Sequence, residues 1–161
     1  MLKVALIGYG YWGSKLARNF HNSEYFSLSI VADKDPKNLS RAIKNYPLIR
    51  GYSDYKKAIK KTDIDLVIIA SPTISHFRIA KFSLKNSKHV LVEKPLSLSL
   101  SEVNKLNKIS KIKNKMIFVD YPFLFSGAIN FIKNIINKNT YGKILEIESF
   151  REQAPVRSDA N

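Results

Sequence analysis

Three glycines in a G-x-G-x-x-G run, Gly8, Gly10 and Gly13, constrain this chain more than any other feature of its sequence. The run directly follows a compact apolar segment, residues 3–7, that suits a strand buried on both faces. It opens a segment from about residue 12 to residue 22 in which apolar side chains recur at helical spacing. The glycines therefore predict a tight turn between a buried strand and a helix.

Each position of this turn has a physical reason. Gly8 permits the tight exit from the strand, Gly10 lets the backbone approach a ligand, and Gly13 lets the helix pack closely on the sheet. The free N–H groups at the helix start, from Tyr11 and Trp12 onward, favour bound phosphate together with the helix dipole. The turn is therefore expected to hold the pyrophosphate of a dinucleotide.

An acidic residue, Asp33, stands 20 positions after Gly13, at the end of a second predicted strand, residues 28–32. A carboxylate there can accept hydrogen bonds from an adenosine ribose and repels a 2′-phosphate, which favours NAD over NADP. The neighbouring Lys34 could accept such a phosphate, so NADP is the less favoured alternative. Without a cofactor, the alternative is a plain β–α turn with Asp33 as a strand-end cap.

Up to about residue 121, apolar strand-type segments alternate with longer helix-type segments. Further strands are predicted at residues 66–70, 89–92 and 116–120, with a helix at residues 75–86 between the first two. This alternation is typical of a parallel sheet covered by helices. The expected fold is α/β, a doubly wound and mostly parallel sheet of the Rossmann type.

Local signals mark where three of the helices begin. Asp35 is a cap before Pro36, which suits a first helical turn, and Asp54 opens a short helix. Ser99 and Glu102 have the spacing of a capping box. Each signal predicts a helix start in the interval between two strands.

The pattern changes after residue 121. Residues 125–139 predict a helix with isoleucines on one face, and residues 143–150 alternate as a strand with one polar face. A lone strand of this kind has little to pair with in a doubly wound domain and would leave an edge that favours association. We expect a Rossmann domain at residues 1–121 and, at residues 122–161, the start of a truncated α+β substrate or oligomerisation domain.

The charge balance is lopsided, with 27 Lys and Arg against 13 Asp and Glu and a formal net charge of +14. A nucleic-acid partner would suit this charge, but the lysines are scattered over several elements, which favours a solvated surface. The chain has no cysteine, which excludes disulfides and thiolate metal sites, and no metal site is predicted. It shows neither a signal peptide nor an apolar stretch of the ~20 residues that span a membrane. We expect a cytoplasmic protein without nucleic-acid or membrane partners.

Two further motifs accompany the glycine turn, which continues as Leu-Ala-Arg-Asn-Phe. One is the segment containing Ser71, Pro72, Thr73 and His76, and the other is the tripeptide Glu-Lys-Pro that follows a strand. In order and spacing, over about residues 1–150, these motifs resemble the Gfo/Idh/MocA oxidoreductases. Tyr-Trp-Gly with Arg-Asn-Phe looks closest to members acting on nucleotide-linked amino sugars, such as UDP-N-acetylglucosamine dehydrogenases.

The resemblance implies roles for these residues. It implies that Ser71, Pro72 and Thr73 border the nicotinamide ribose. It also favours His76 as a residue lining the dinucleotide site, over an ordinary position at a helix start.

The tripeptide contributes Glu93 and Lys94 to the expected cofactor site. In the family its lysine contacts the substrate hydroxyl and assists proton transfer, a catalytic role that the resemblance carries to Lys94. Chemistry agrees, because a lysine at the carboxyl end of a parallel strand faces the ligand cleft and can share a proton with an alkoxide. Glu93 is the neighbouring counter-charge.

Two departures from the family limit what this chain can complete. The family's second domain usually carries Asp-x-x-x-His, whereas no histidine follows His89 here, and Asp120-Tyr121 stands where Gly-His is common. We expect the N-terminal half of an enzyme, an NAD-dependent oxidoreductase acting on a sugar or nucleotide sugar, that forms a homo-oligomer when full length. The alternatives are a non-catalytic NAD-binding module and, with only bulk charge in support, a nucleic-acid-binding protein.

Overall fold

The computed structural model describes residues 1–61 and 63–150, and the chain divides into two compact units, Met1–Tyr121 and Pro122–Asn161. In the first unit, strands alternate with helices along the chain. The elements are β1 (Leu2–Ile7), α1 (Tyr11–His21), β2 (Phe26–Ala32), α2 (Pro36–Asn45), β3 (Arg50–Tyr52), α3 (Tyr55–Ile59), β4 (Leu66–Ile69), a 3₁₀ turn (Thr73–Ser75), α4 (His76–Lys85), β5 (His89–Glu93), α5 (Leu100–Lys113) and β6 (Ile117–Asp120).

The strands of this unit form one parallel sheet in the order β3-β2-β1-β4-β5-β6. The order changes direction at β1, because the chain builds outward to β3 and then returns to place β4 on the other side of β1. In a doubly wound sheet, ligands bind outside the carboxyl ends of the strands at such a switch point. The fold therefore predicts a ligand site at the carboxyl ends of β1, β2 and β4.

Alternate residues of each central strand enter different cores. In β1, Ala5 and Ile7 belong to the buried cluster on one face of the sheet, and Val4 and Leu6 belong to the cluster on the other. All four side chains are nearly or fully buried. Burial on both faces explains why these strands appear in the sequence as continuous apolar runs.

The predicted α/β fold with a doubly wound parallel sheet is confirmed. The predicted strands all form in this unit, with bounds that differ from the prediction by one or two residues at an end. Strand β3 was not predicted, because its three residues are too few to show a periodic pattern.

Two of the three predicted caps form as expected, since Asp35 accepts the Lys37 N–H and Asp54 accepts the Lys56 N–H, each at 2.8 Å. The predicted capping box at α5 is wrong. Ser99 precedes the helix, but its side chain makes no cap bond.

A neighbouring serine explains the missing capping box. The Ser97 hydroxyl accepts the Ser99 N–H at 3.3 Å and donates to the Glu102 carboxylate. The carboxylate is therefore engaged by Ser97 rather than by the backbone of Ser99.

In the second unit, the described residues 122–150 contain a 3₁₀ turn (Pro122–Phe125) and helix α6 (Gly127–Asn137), which is shorter than the predicted 125–139. The predicted strand at residues 143–150 does not form, because no described segment pairs with it and a strand needs a neighbour for its ladder. The strand edge expected there is therefore absent. Residues 151–161, which complete the predicted second domain, lie outside the described residues.

Within the described parts of the chain, no helix combines the length and the apolar character required to cross a lipid bilayer. The 14-residue α5, for example, carries lysines along its length.

Candidate dinucleotide-binding site

The turn between β1 and α1 is tightly packed at two of its glycines. Gly8 has a φ of +95°, and a Cβ there would lie 2.7 Å from the Ala70 carbonyl oxygen. A Cβ on Gly13 would lie 2.0 Å from the Gly8 carbonyl oxygen. A Cβ on Gly10 would meet no atom within 4 Å. The fold itself therefore requires Gly8 and Gly13, whereas Gly10 presents open backbone that a ligand can approach.

Helix α1 begins without a capping side chain or an acidic residue in its first turn. Its first helical hydrogen bond runs from the Ser14 N–H to the Gly10 carbonyl at 3.0 Å. The N–H groups of Tyr11, Trp12 and Gly13 consequently have no acceptor within the helix. Such N–H groups at the positive end of a helix dipole form an anion-binding site.

A lysine adds positive charge at this helix start. The Lys15 ammonium lies 4.1 Å from the ring centroid of Tyr11 and 4.7 Å from that of Trp12, and it donates to the Tyr11 hydroxyl at 2.8 Å. Both aromatic side chains are exposed. The predicted cofactor residues Tyr11 and Trp12 thus combine backbone donors with accessible rings beside a cation.

The Asp33 carboxylate lies at the end of β2 and joins two turns. Its Oδ2 accepts the Tyr9 N–H at 2.7 Å and the Asn38 side-chain amide at 3.3 Å, while Oδ1 accepts the Asp35 N–H at 2.8 Å. Asp33 therefore caps the turn after β2, which is the role predicted by the alternative without a cofactor. It also holds the glycine turn. A carboxylate has about four acceptor positions, so one remains on Oδ1 for a ligand hydroxyl.

These elements border one cleft of about 610 Å³ at the switch point of the sheet. Its lining includes six of the residues predicted for the cofactor site: Gly8, Gly10, Asp33, Lys34, Ser71 and Pro72. Ile74, from the same predicted segment, also lines it, as does Arg78, which no sequence motif indicated. Tyr11, Trp12, Gly13 and Thr73 adjoin the cleft in the chain but are not among its lining residues.

The loop after β4 is braced by its own serines. The hydroxyl oxygens of Ser71 and Ser75 lie 2.6 Å apart, and Ser75 also donates to the Pro72 carbonyl at 2.6 Å. The 3₁₀ turn that begins at Thr73 leads directly into α4. The loop thus holds Ser71 and Pro72 in place at the cleft.

His76 lies behind the cleft rather than in its lining, where the resemblance had suggested it. The residue is 1% exposed, with Nε2 2.8 Å from the Ser71 carbonyl oxygen and Nδ1 2.8 Å from the Pro95 carbonyl oxygen. A neutral imidazole can donate to only one of these carbonyls, whereas an imidazolium can donate to both. His76 therefore links the loop after β4 to the loop after β5.

The other end of the sheet carries the predicted catalytic lysine. Lys94 directly follows β5 and is exposed, and Glu93 is the register partner of Asp120 on β6. Burial raises the pKa of the Glu93 carboxyl, and the Asp120 carboxylate raises it further. The Lys94 N–H and ammonium lower the same pKa but do not cancel the increase. A carboxyl group with a raised pKa, that of Glu93, thus directly precedes Lys94 in the chain. The structure keeps Glu93 and Lys94 out of the cleft lining.

Three residues around the site, Tyr9, Asn38 and Arg41, received no function from the sequence, and Asp120 was noted only as part of a departure from the family. Tyr9, Asn38 and Arg41 contact one another or Asp33, and Asp120 contacts Glu93. The helical spacing of Asn38 and Arg41 on α2 places them on one side of that helix, but spacing alone does not reveal what they face.

A doubly wound parallel sheet with a glycine turn, unpaired helix amides and a carboxylate at the end of β2 defines a dinucleotide-binding Rossmann domain. Comparison with known families agrees and is more specific. The model of an oxidoreductase family with an NAD-binding Rossmann fold, GFO_IDH_MocA, matches residues 2–121. The chain belongs to this Gfo/Idh/MocA family, so the predicted membership and the predicted NAD cofactor are confirmed.

Individual relatives share the family's fold. Myo-inositol 2-dehydrogenase of Thermotoga maritima is 27% identical over 156 residues, covering 96% of this chain and 46% of that relative. The crystal structure of myo-inositol 2-dehydrogenase from Lactobacillus plantarum matches with a TM-score of 0.83 at 27% identity, over 89% of this chain and 43% of that one.

A third match carries bound ligands. Scyllo-inositol dehydrogenase from Lactobacillus casei, crystallised with NAD(H) and scyllo-inositol, matches with a TM-score of 0.82 at 22% identity, over 88% of this chain and 42% of that one. At this identity the match establishes the fold alone. The present chain spans less than half the length of the relatives it matches.

Proposed function

We propose that this chain is the cofactor-binding part of an NAD-dependent oxidoreductase that transfers a hydride between nicotinamide and a carbon of a sugar or nucleotide sugar. One observation carries the proposal. The carboxyl edge of a single sheet holds an anion-binding helix start, a carboxylate at the end of β2 and Lys94 at the end of β5. The inositol dehydrogenases among the relatives favour a polyhydroxylated small molecule as substrate.

The residues of the cleft suit NAD in a defined orientation. The pyrophosphate would lie against Gly8, Gly10 and the N–H groups of Tyr11, Trp12 and Gly13, where a Cβ-free surface meets unpaired donors. This placement gives a reason for glycine at position 10, because packing within the protein does not require a glycine there.

The two riboses would then lie on either side of the turn. Asp33, with Lys34 beside it, would contact the adenosine ribose, since Oδ1 retains an acceptor position for a hydroxyl. Ser71, Pro72 and Thr73 would border the nicotinamide ribose. His76 would support that loop from behind through the Ser71 carbonyl.

Bound NAD would accept or supply the hydride. When a substrate alcohol is oxidised, its hydroxyl also loses a proton, and a neutral Lys94 amine would take that proton. In the reverse direction, the Lys94 ammonium would return the proton to the alkoxide oxygen. Glu93, which directly precedes this lysine, would be its counter-charge.

A second function, a non-catalytic NAD-binding module, is favoured by one feature of this chain. Glu93 and Lys94 lie outside the cleft lining, so the cleft that would bind the dinucleotide does not include the proposed catalytic lysine. Such a module would bind the dinucleotide without turning over any sugar.

Both functions can be tested with the purified 161-residue chain. Titration with NADH, followed by nicotinamide fluorescence at low and moderate salt, should give saturable binding that survives salt. Assays with NAD and a panel of myo-inositol, free aldoses and UDP-N-acetylglucosamine then test for NADH formation. A Lys94→Met variant should bind NADH like wild type but form none, with Lys105→Met on α5 as the matched control.

Turnover that depends on Lys94 would support the oxidoreductase, and binding without turnover would favour the module. Absence of saturable NADH binding would contradict both.

A further inference from the structure

Four residues form a closed ring of hydrogen bonds at the ribose end of the cleft. The Tyr9 N–H donates to Asp33 Oδ2 at 2.7 Å, and Asn38 Nδ2 donates to the same oxygen at 3.3 Å. Arg41 Nη2 donates to the Tyr9 carbonyl at 2.9 Å and to Asn38 Oδ1 at 3.1 Å. The ring therefore ties the glycine turn, the end of β2 and helix α2 together.

The chemistry of the ring fixes the orientation of each member. The Asn38 amide must point its nitrogen at a carboxylate and its oxygen at a guanidinium, since the reverse would face like groups with each other. Arg41 has only donors, and both its acceptors belong to the ring. Asp33 Oδ2 is consequently occupied twice, which leaves the free acceptor position on Oδ1.

We propose that Asn38 and Arg41 are positioning residues that set the preference for NAD over NADP by holding the Asp33 carboxylate with Oδ1 towards the adenosine ribose. This inference rests on the proposed cofactor placement. A carboxylate selects NAD only while it occupies the position of the 2′-oxygen contact. Without Asn38, Asp33 keeps its bonds to the Tyr9 and Asp35 N–H groups but loses its only side-chain restraint among the described residues, so the aim of Oδ1 is less sharply set.

The ring also restrains the cation nearest to it. Arg41 could recruit a 2′-phosphate if its guanidinium were free to turn towards the cleft, as arginines do in NADP sites. Its two hydrogen bonds instead hold it within the ring of hydrogen bonds, and its guanidinium carbon lies 5.4 Å from the centroid of the Tyr9 aromatic ring. Both effects of the ring favour NAD.

Two substitutions that keep the net charge test the proposal, read as the ratio of NADPH to NADH dissociation constants of the 161-residue chain. Asn38→Leu removes both amide contacts at similar volume. It should weaken NADH binding about fivefold to tenfold and leave NADPH binding nearly unchanged, because NADPH makes no use of the Asp33 acceptor. Arg41→Lys keeps the charge but loses the planar guanidinium that donates to both Tyr9 and Asn38. It should lower the ratio by about twofold to threefold. Asn104→Leu on α5 is the matched control, with an unchanged ratio.

A purely structural role for the ring would weaken both dinucleotides by the same factor. An unchanged ratio in Asn38→Leu and Arg41→Lys, with thermal unfolding confirming that both variants are folded, would overturn the inference while leaving NAD binding intact. Failure of the wild-type chain to bind either dinucleotide would instead overturn the proposed function, and the inference with it.

Discussion

The two ends of the sheet edge differ in how completely their side chains are held. At the ends of β1 and β2, Asp33 and the glycine turn are fixed by hydrogen bonds among Tyr9, Asn38 and Arg41. At the ends of β5 and β6, Lys94 is exposed, and two carboxyl groups lie side by side. The cofactor end is built within Met1–Tyr121, whereas the lysine end leaves charged groups open to further contacts.

This difference teaches which properties each end can have. A site whose donors and acceptors are already positioned can bind a dinucleotide with little rearrangement. An exposed lysine beside an acidic pair binds weakly by itself, because solvent screens its charge. We therefore expect substitutions at the cofactor end to change folding and NADH binding, and substitutions at the lysine end to change pH dependence.

The largest effect is expected for Gly13→Ala. The new Cβ would lie 2.0 Å from the Gly8 carbonyl oxygen, so α1 must move away from the sheet. We expect a loss of more than about 3 kcal/mol in the free energy of unfolding, measured by urea denaturation. Gly127→Ala on α6, whose Cβ meets nothing within 4 Å, is the control. Wild-type stability in Gly13→Ala would show that the turn is not packed as described.

The next effect separates binding from folding at the same turn. A Cβ on Gly10 meets no protein atom, so Gly10→Ala should change the free energy of unfolding by no more than about 1 kcal/mol, mostly through the helix cap. The same Cβ would occupy the surface proposed for the pyrophosphate, so the dissociation constant for NADH should rise about tenfold or more. Unchanged NADH affinity would exclude the pyrophosphate from this position.

His76 links the loop after β4, at the cleft, to the loop after β5, at the lysine end, so its removal should destabilise both loops. His76→Leu would leave the carbonyls of Ser71 and Pro95 without their buried partner, at a cost of about 2 kcal/mol in the free energy of unfolding. His76→Gln can donate to one carbonyl and should recover part of the loss. Equal stability of all three proteins would mean that the link is not used.

The smallest effect concerns the acidic pair. Because the pKa of Glu93 is raised in the folded state, its contribution to stability is complete below the ordinary Glu range and is lost as the pH rises through the raised value. Asp120→Asn removes the like charge, although burial remains. The decrease in the free energy of unfolding between acid and neutral pH should therefore shrink, by less than about 1 kcal/mol given partial solvent screening.

The pair can be checked by urea denaturation at acid and neutral pH. Glu24→Gln, at an exposed carboxyl of the same unit, is the control and should leave the Glu93 contribution unchanged. A steeper pH dependence in Asp120→Asn than in wild type would contradict the assigned repulsion.

Sequence reasoning succeeded where a requirement is local. The glycine turn, the β2 carboxylate and the Asp35 and Asp54 caps each depend on residues close in the chain, and the structure contains all of them. It failed where a local pattern has competing or missing partners. Ser97 displaced the predicted capping box at Ser99, and residues 143–150 alternate correctly but have no described strand beside them.

Long-range contacts could not be predicted from the sequence for a different reason. Arg41 meets the Tyr9 carbonyl, 32 residues earlier in the chain, only once α2 is folded next to the glycine turn, and Asn38 takes its place between Arg41 and Asp33 in the same way. The contact between Glu93 and Asp120 depends on the register of β5 and β6, which the sequence pattern does not predict. Such contacts are set by topology rather than by spacing.

The most direct test of this account is a titration of the ¹⁵N-labelled 161-residue chain with NADH, followed by backbone amide shifts at moderate salt. We expect saturable shifts confined to the cleft and the adjoining start of α1, with the largest at Gly8, Gly10 and Trp12, and further shifts at Asp33 and Ser71. Shifts centred on the exposed lysines of α5, or no saturable shift at all, would contradict it.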